Sequence, residues 1–219
     1  MKNALDILNL DSIRAAPLHT DPFPYMIIKN VINPTFISQI SETFPTIKTR
    51  GSYPLNALSY EGAFEKLIAE LQFPQLKKVI GDRFAMNLDD NPCMITLRGH
   101  TAKKDGRIHI DSASKLVTVL LYLNQGWQSN AGRLRLLYNK KNLDHFAAEV
   151  SPEIGTCLIF KVTANCWHGH APFIGERRSI QLNYVTSDKA ADHHLRRHRL
   201  SAFLKKYLLK NDEKASTTY

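Results

Sequence analysis

The feature of this sequence that most constrains its fold is a series of short β-strand patterns in the second half. From residue 91 onward, runs rich in β-branched and aromatic residues follow one another, with Gly, Pro, Asn and Asp between them. Short strands at this spacing indicate a β-sandwich or jelly roll. Residues 116–123 are apolar at both parities, which predicts a strand covered on both faces. The predicted strands are Cys93–Leu97, Arg107–Asp111, Lys115–Leu123, Arg133–Tyr138, Thr156–Val162 and Ser179–Val185.

The first half predicts one strand followed by helices. Residues 23–32 alternate loosely between apolar and polar, as a strand does. The pair Asn33-Pro34 combines an N-cap residue with proline at the first helical position, and predicts a helix that ends by Pro45. A second helix is predicted over Glu61–Leu71, and a short third one after Pro74.

The length and composition favour one folded domain. All-β sandwiches and barrels often reach the length of this chain, 219 residues, as single domains. Apolar residues make up 43%, which excludes a wholly disordered protein. We expect a mainly β protein with a double-stranded β-helix (jelly-roll) core over 91–187. Residues 1–90 would add a strand and helices, and 188–219 a basic C-terminal helix and tail.

The sequence predicts a cytoplasmic protein. No apolar run follows Lys2, so a secretory signal is not expected, and no stretch approaches the ~18 apolar residues of a membrane span. Three cysteines form an odd set with no C-x-x-C spacing, which favours free thiols in a reducing compartment.

The net charge of +9 is concentrated at the C-terminal end. Residues 189–219 hold eight basic and three acidic residues, so this segment carries +5. One interpretation is a helix that docks its apolar stripe on the β core and exposes its charges. The other is a basic surface for an acidic partner such as anionic lipid or nucleic acid. The stripe consists of Leu200, Phe203, Leu204, Tyr207 and Leu208.

Potential metal ligands occur in a fixed order among the predicted strands. His109 and Asp111 are two positions apart, so on a strand both side chains would point to the same side and could hold one ion. A Tyr-Leu-Asn sequence beginning at Tyr122 follows. A distal histidine, His168, then precedes a proline by four positions and a pair of arginines, Arg177 and Arg178, by nine and ten.

In this order and spacing, roughly residues 91–185 resemble the prolyl-4-hydroxylase-like branch of the Fe(II)/2-oxoglutarate-dependent dioxygenases. The resemblance implies that His109, Asp111 and His168 are the catalytic metal ligands and hold Fe(II). It implies 2-oxoglutarate and O₂ as co-substrates, succinate and CO₂ as co-products, and leaves ascorbate open as an accessory. Two histidines and one carboxylate leave three positions of an octahedral ion open, as in non-haem Fe(II) oxygenases. A zinc site would more often be closed by four protein ligands or hold one water.

Two features near the distal histidine have alternative interpretations. His170 could replace His168 as the ligand, although the proline spacing in the family favours His168. His168-x-His170 followed by Glu176 also resembles a cupin metal motif. The gap to the glutamate is longer than that motif usually allows, and no second cupin motif follows.

The resemblance also implies a binding site for 2-oxoglutarate, formed by Tyr122 and one of the two arginines. On a strand Arg177 and Arg178 point to opposite faces, so only one can enter the barrel. Ser179 and the polar residues after it share the parity of Arg177, which makes Arg177, with Tyr122 and Ser179, the predicted set. Arg98 and His100 are candidates for the substrate entrance, and Trp127 for packing at a strand end.

The predicted function is therefore an oxygenase that hydroxylates an unidentified small-molecule or peptide substrate, such as an amino-acid residue, a free amino acid, a sugar or another metabolite. One alternative is a nucleic-acid demethylase. Such relatives carry a second arginine six positions after the first, where this chain has Asn183 or Tyr184. Another is a catalytically silent jelly-roll binding protein. The oligomeric state is not predicted.

Overall fold

The computed structural model describes residues 5–196, in which two antiparallel sheets are flanked by helices. The first part of the chain forms α1 (Leu10–Ala15), β1 (Tyr25–Ile28), α2 (Ile37–Glu42), β2 (Tyr53–Pro54), α3 (Gly62–Leu71) and α4 (Pro74–Phe84). Short 3₁₀ turns cover Pro34–Phe36 and Leu55–Ala57. The β-rich part forms β3 (Cys93–Thr101), β4 (Lys115–Tyr122), β5 (Leu134–Leu137), β6 (Phe146–Val150), β7 (Cys157–Lys161), β8 (His168–Gly169) and β9 (Gly175–Val185).

The strands form a six-stranded main sheet and a three-stranded minor sheet. The main sheet has the order β1-β7-β4-β9-β3-β2, and the minor sheet has the order β6-β5-β8. All strand pairs are antiparallel. Strand β4, predicted to be covered on both faces, lies in the interior of the main sheet, and most of its residues are buried. The predicted jelly-roll core is confirmed.

Each face of the main sheet contacts a different apolar cluster. One face packs on the helices, where Val119 and Leu182 meet Phe64 and Leu67 in one buried cluster. The other face turns toward the minor sheet, and a second, smaller cluster lies between the sheets. Its fully buried members include Tyr122, Leu136, Leu158 and Phe160. The smaller cluster does not fill the space between the sheets, and polar groups line what remains.

The helical layer follows the capping signals of the sequence. The side chain of Asn33 accepts a hydrogen bond from the Thr35 amide, and Pro34 starts a 3₁₀ turn that leads into α2. Helix α2 ends at Glu42, before the predicted limit at Pro45. Helix α3 carries the buried Glu70, whose carboxylate accepts hydrogen bonds of 2.8–3.1 Å from the amides of residues 6–8. One helix side chain thereby fixes the N-terminal segment.

The predicted strand Arg107–Asp111 is wrong. This segment makes one isolated bridge, between His109 and His168, and otherwise has no regular structure. The physical reason is the turn before it: the Asp105 amide bonds to the Ala102 carbonyl, and Gly106 has a φ of +85°. Four short elements, α1, β2, β6 and β8, were not predicted from the sequence.

The chain beyond β9 begins a helix. Residues 188–196 are helical up to the end of the described part. Ala191 is buried, and His194 contacts the Ser114 hydroxyl at 2.8 Å, so this first part contacts the β core. The predicted apolar stripe from Leu200 on and most of the basic charges lie outside the described residues. Among residues 5–196, no helix has the length and apolarity needed to cross a bilayer.

Candidate active site

The structure brings the three predicted metal ligands together at one end of the space between the sheets. His109 lies on the irregular segment before β4, Asp111 follows it, and His168 begins β8 in the minor sheet. One potential ligand atom from each residue lies within 4.8 Å of the others. Among the described residues this is the one cluster of three such side chains.

Reciprocal backbone hydrogen bonds hold the two histidines side by side. The His109 amide donates to the His168 carbonyl at 3.0 Å, and the His168 amide donates to the His109 carbonyl at 2.9 Å. The two rings lie 4.3 Å apart between centroids. The missing strand ladder at 107–111 therefore does not displace the site, because this single bridge aligns His109 with His168.

The tautomer of each histidine is set by a backbone carbonyl. The Nδ1 atom of His109 lies 2.8 Å from the Arg107 carbonyl, and that of His168 lies 2.8 Å from the Cys166 carbonyl. A carbonyl only accepts hydrogen bonds, so each Nδ1 carries a proton and Nε2 is the ring nitrogen left to bind a metal. Burial, and secondly the neighbouring His109, lower the pKa of His168 to about 4.

The third ligand residue is oriented through both carboxylate oxygens. Lys115 lies 2.8 Å from Oδ1 of Asp111, and the Thr118 hydroxyl donates to Oδ2 at 2.6 Å. The Asn183 amide donates to that hydroxyl at 2.7 Å, which forces the hydroxyl proton toward Asp111. Burial raises the pKa of Asp111, but Lys115, His168 and these hydrogen bonds lower it more, so the carboxylate is ionised.

A polar cavity continues from the ligand cluster over the main sheet. Arg177 lines it and is buried, with its Nε donating to the Gly132 carbonyl at 2.8 Å. Its guanidinium carbon lies 5.2 Å from the centroid of the Tyr122 ring. The Tyr122 hydroxyl and Nη2 of Arg177 are buried without a hydrogen-bond partner. Ser179, also buried, lines the same cavity and pairs with Tyr122 in the sheet register.

Arg178 lies on the opposite face of β9. It donates to the Ser41 carbonyl at 3.1 Å, pairs with Glu176, and lies 5.0 Å from the Phe44 ring centroid. The structure thus places Arg177 in the cavity and Arg178 against the helical layer. Glu176, the acidic residue of the cupin alternative, is outside the ligand cluster.

The remaining candidates are distributed around this cavity. His170 lines it, but its Nδ1 faces the Ala171 carbonyl and it is not part of the ligand cluster. Burial, and then Arg177, lower the pKa of His170 to about 4. Arg98 also lines the cavity. The His100 ring instead contacts the Ile47 carbonyl at 3.1 Å, and Trp127 packs on Phe173 with 4.5 Å between ring centroids.

Sequence reasoning missed the residues that orient Asp111. Lys115 and Thr118 were treated only as members of a strand, and Asn183 only as part of the polar face of its strand. A signal was present, because Thr118 and Asn183 are polar residues inside strands that are otherwise largely apolar. A buried polar side chain needs a hydrogen-bond partner. On the cavity face of these strands, Thr118 finds that partner in Asp111, and Asn183 finds it in Thr118.

Residues 96–185 match the family model described as the 2OG-Fe(II) oxygenase superfamily. This segment contains the ligand cluster, both arginines and Tyr122. None of the curated proteins compared matches this sequence significantly.

Solved structures share the fold at low sequence identity. A prolyl-4-hydroxylase from Pseudomonas putida aligns with a TM-score of 0.51 and 16% identity, over 80% of this chain and 90% of that one. A prolyl hydroxylase from Trichoplax adhaerens, solved in complex with a hypoxia-inducible-factor peptide fragment, gives 0.52 and 18%, over 80% and 88%. A prolyl 4-hydroxylase from Phytophthora capsici gives 0.53 and 16%, over 84% and 64%.

Proposed function

Residues 96–185 match the 2OG-Fe(II) oxygenase superfamily, and on this premise we propose that the chain is an oxygenase of that superfamily. We propose that His109, Asp111 and His168 hold its Fe(II) and that Arg177 and Tyr122 bind 2-oxoglutarate. The protein is an oxidoreductase whose substrate is not specified by the family. One observation supports this assignment of residues. The three candidate metal ligands line the same cavity as two buried hydrogen-bond donors without a partner, the Tyr122 hydroxyl and Nη2 of Arg177.

The donor set fits Fe(II). Two neutral imidazole nitrogens and one carboxylate oxygen leave open positions for a co-substrate and O₂. Each imidazole already donates its other N–H to a carbonyl, and the carboxylate is held by Lys115 and Thr118. Such outer contacts fix the orientation of metal ligands and raise their basicity.

The unpaired donors fit a carboxylate. The Tyr122 hydroxyl and Nη2 of Arg177 lack partners, although a buried polar group without a hydrogen bond is unfavourable. A carboxylate only accepts hydrogen bonds, so the far carboxylate of 2-oxoglutarate would satisfy both, with Ser179 beside them. Nε of Arg177 is already fixed by Gly132, so the guanidinium fork is oriented before any ligand binds.

With Fe(II) bound, O₂ would be the oxidant both for the decarboxylation of 2-oxoglutarate to succinate and CO₂ and for the hydroxylation of a substrate C–H bond, with one oxygen atom going into each organic product. The protein contributes position and shielding. Asp111 and the two histidines define which sides of the metal stay open, and Arg177 and Tyr122 fix the far end of the co-substrate. The apolar cluster around Phe160 and Leu136 excludes water from one side of the site.

We propose a small-molecule or peptide substrate and a cytoplasmic location, supported by three free cysteines. Nothing specific favours a nucleic-acid demethylase. Asn183, at a position where such relatives would carry a second arginine, donates to Thr118. The intact ligand cluster argues against a silent binding protein.

A metal-binding experiment with a matched pair of histidine variants tests the assignment. We expect the wild-type protein to bind one Fe(II) per chain under anaerobic conditions and to form succinate from 2-oxoglutarate when O₂ is admitted. His168→Ala and Asp111→Ala should lose both properties, since each removes one of three ligands. His170→Ala should keep the iron. If His168→Ala kept the iron and His170→Ala lost it, the distal ligand would be His170 and not His168. Undiminished succinate formation by Asp111→Ala would refute the proposed metal site.

A further inference from the structure

Arg98 is a second arginine in the cavity, and the proposed function does not use it. It lies on β3, where its Cα partner in the neighbouring strand is Ser179, and Ser179 in turn pairs with Tyr122 on β4. Residues paired across a sheet share a face, so Arg98, Ser179 and Tyr122 form one row that faces the cavity. All three line the cavity together with the metal ligands.

The guanidinium of Arg98 has no partner of its own. Among residues 5–196 it makes no side-chain hydrogen bond and no ion pair, although other arginines around the site do: Arg50 binds Asp105, and Arg177 binds the Gly132 carbonyl. Burial lowers the pKa of Arg98, and the nearby charge of Arg177 lowers it further. The surroundings therefore disfavour the cation unless an anion is added.

The two carboxylates that attract Arg98 are already neutralised. They are Asp105 and Asp111. Asp105 is held by Arg50 at 2.6 Å and also accepts from the Ala102 amide at 2.8 Å. Asp111 is held by Lys115 at 2.8 Å. Neither acid is left free to act as the counter-ion of Arg98.

The charges around the cavity leave a positive excess. Four cationic side chains face two carboxylates, so two positive charges remain. An imidazole that binds a metal through its lone pair is neutral, so His109 and His168 as ligands would add nothing to this count. Fe(II) and the dianion of 2-oxoglutarate cancel each other, so loading the site leaves this excess in place. The four cations are Arg50, Arg98, Lys115 and Arg177.

We propose that Arg98 binds an anionic group of the primary substrate, either a carboxylate or a phosphate. A guanidinium presents a planar fork of donors that matches both groups in a bidentate manner. This inference rests on the proposed function, because it assumes that Arg177 and Tyr122 are occupied by 2-oxoglutarate and that the substrate enters the same cavity. It names the substrate class: a metabolite with an acidic group close to the C–H bond that is hydroxylated.

The proposal narrows the range of substrate classes that the sequence left as alternatives. Neutral sugars and uncharged amino-acid residues within a peptide lack the required group. Free amino acids, acidic sugars and phosphorylated metabolites carry it. Arg98 is thus a specificity-determining residue, and it should be dispensable for binding iron and 2-oxoglutarate.

Paramagnetic relaxation tests the proposal without turnover. The full-length protein is loaded with Mn(II), as a paramagnetic substitute for Fe(II), and with 2-oxoglutarate, and Mn(II) binding is verified first. The probes are inorganic phosphate and acetate, observed by ³¹P and methyl ¹H relaxation. In the wild type we expect a saturable enhancement of relaxation for at least one probe. Whether phosphate or acetate binds more tightly identifies the acidic group.

In Arg98→Met we expect the affinity for that probe to fall about 10- to 100-fold, the loss expected for a hydrogen bond between charged groups. Affinities for Mn(II) and 2-oxoglutarate should stay unchanged, and the melting temperature should not fall, because an unpaired, partly buried cation is removed. Arg178→Met, altered on the opposite sheet face, is the control and should keep the probe affinity. Should Arg98→Met fail to fold, the same loss is required of Arg98→Gln.

The inference is overturned if the Mn(II)-loaded wild type shows no saturable enhancement, or if the Arg98 variant equals the wild type. It is also overturned if the variant weakens 2-oxoglutarate binding and leaves probe binding intact, because Arg98 would then belong to the co-substrate site. A wild type that binds no Mn(II) would instead contradict the metal assignment, and this inference with it.

Discussion

The two faces of strand β9 carry different kinds of residue. Toward the cavity it presents Arg177, Ser179, Gln181 and Asn183, and toward the helices it presents Ile180, Leu182 and Tyr184. These three helix-face residues are almost completely buried, and Arg178 on the same face packs on the Phe44 ring. The cavity face is also largely buried, but its groups are polar and include the unpaired Nη2 of Arg177.

The comparison separates a face that is occupied in packing from a face whose polar groups are left available to a ligand. Six side-chain atoms of the described residues are buried without a hydrogen-bond partner, and three of them belong to Tyr122, Arg177 and Asn183. Unpaired buried groups reduce stability, and they persist where a ligand completes them. Substitutions on the helix face should therefore change stability, and substitutions on the cavity face should change binding.

The largest expected effect on stability is on the helix face. Leu182→Ala removes a fully buried side chain from the cluster between sheet and helices, and should lower the free energy of unfolding by about 2–5 kcal/mol. Gln181→Ala, one position away and facing the cavity, should cost less than about 1 kcal/mol. Urea denaturation of both variants measures the difference. Equal losses would show that the two faces do not divide the roles as described.

A second effect separates the two neighbouring arginines. Removing one partner of a buried charge pair costs about 3–5 kcal/mol, which corresponds to at least about 100-fold in affinity. Arg177→Ala should raise the 2-oxoglutarate concentration needed for half-maximal succinate formation by that factor and leave iron binding intact. Arg178→Ala should change it far less, since Arg178 contacts Ser41 and Phe44 on the helix side. The reverse ranking would place the co-substrate on the other face.

The smallest expected effect concerns Thr118. Thr118→Val keeps the shape of the side chain but removes the hydrogen bond to Asp111, so Fe(II) affinity should fall about tenfold. Thr96→Val makes the same change on β3, at another buried position of the cavity face, and should leave Fe(II) affinity unchanged. Competition with a metal-sensitive dye measures both. Equal affinities in the two variants would mean that Thr118 does not orient the ligand.

The parity of β9 was readable from the sequence because polar and apolar residues alternate strictly over residues 179–184. The segment 107–111 was not readable, because its apolar and polar residues alternate as in a strand while Gly106 and the preceding turn prevent a ladder. Strand β8 consists of only two residues, too few to show any period. Strand β6 is rich in alanine and largely unburied, so it lacks the β-branched pattern by which the others were found.

The grouping of the three candidate ligands was predicted for a similar reason. His109, Asp111 and His168 are identified by their order and spacing, which survive even where the secondary structure differs. Lys115 and Thr118 act through contacts that depend on side-chain direction, and a sequence shows direction only where the strand register is known. Arg98 became interpretable only when the partners of Asp105 and Asp111 were seen.

The reciprocal backbone hydrogen bonds between His109 and His168 make it possible to measure how well the metal ligands are positioned before a metal binds. Both amide protons are protected by the opposite carbonyl, so they exchange with solvent only when the segment before β4 separates from β8. Hydrogen–deuterium exchange at these two amides therefore reports how often the metal-free site comes apart. Slow exchange there would mean that an arriving ion meets ligands already in position, whereas fast exchange would mean that the ion itself assembles them.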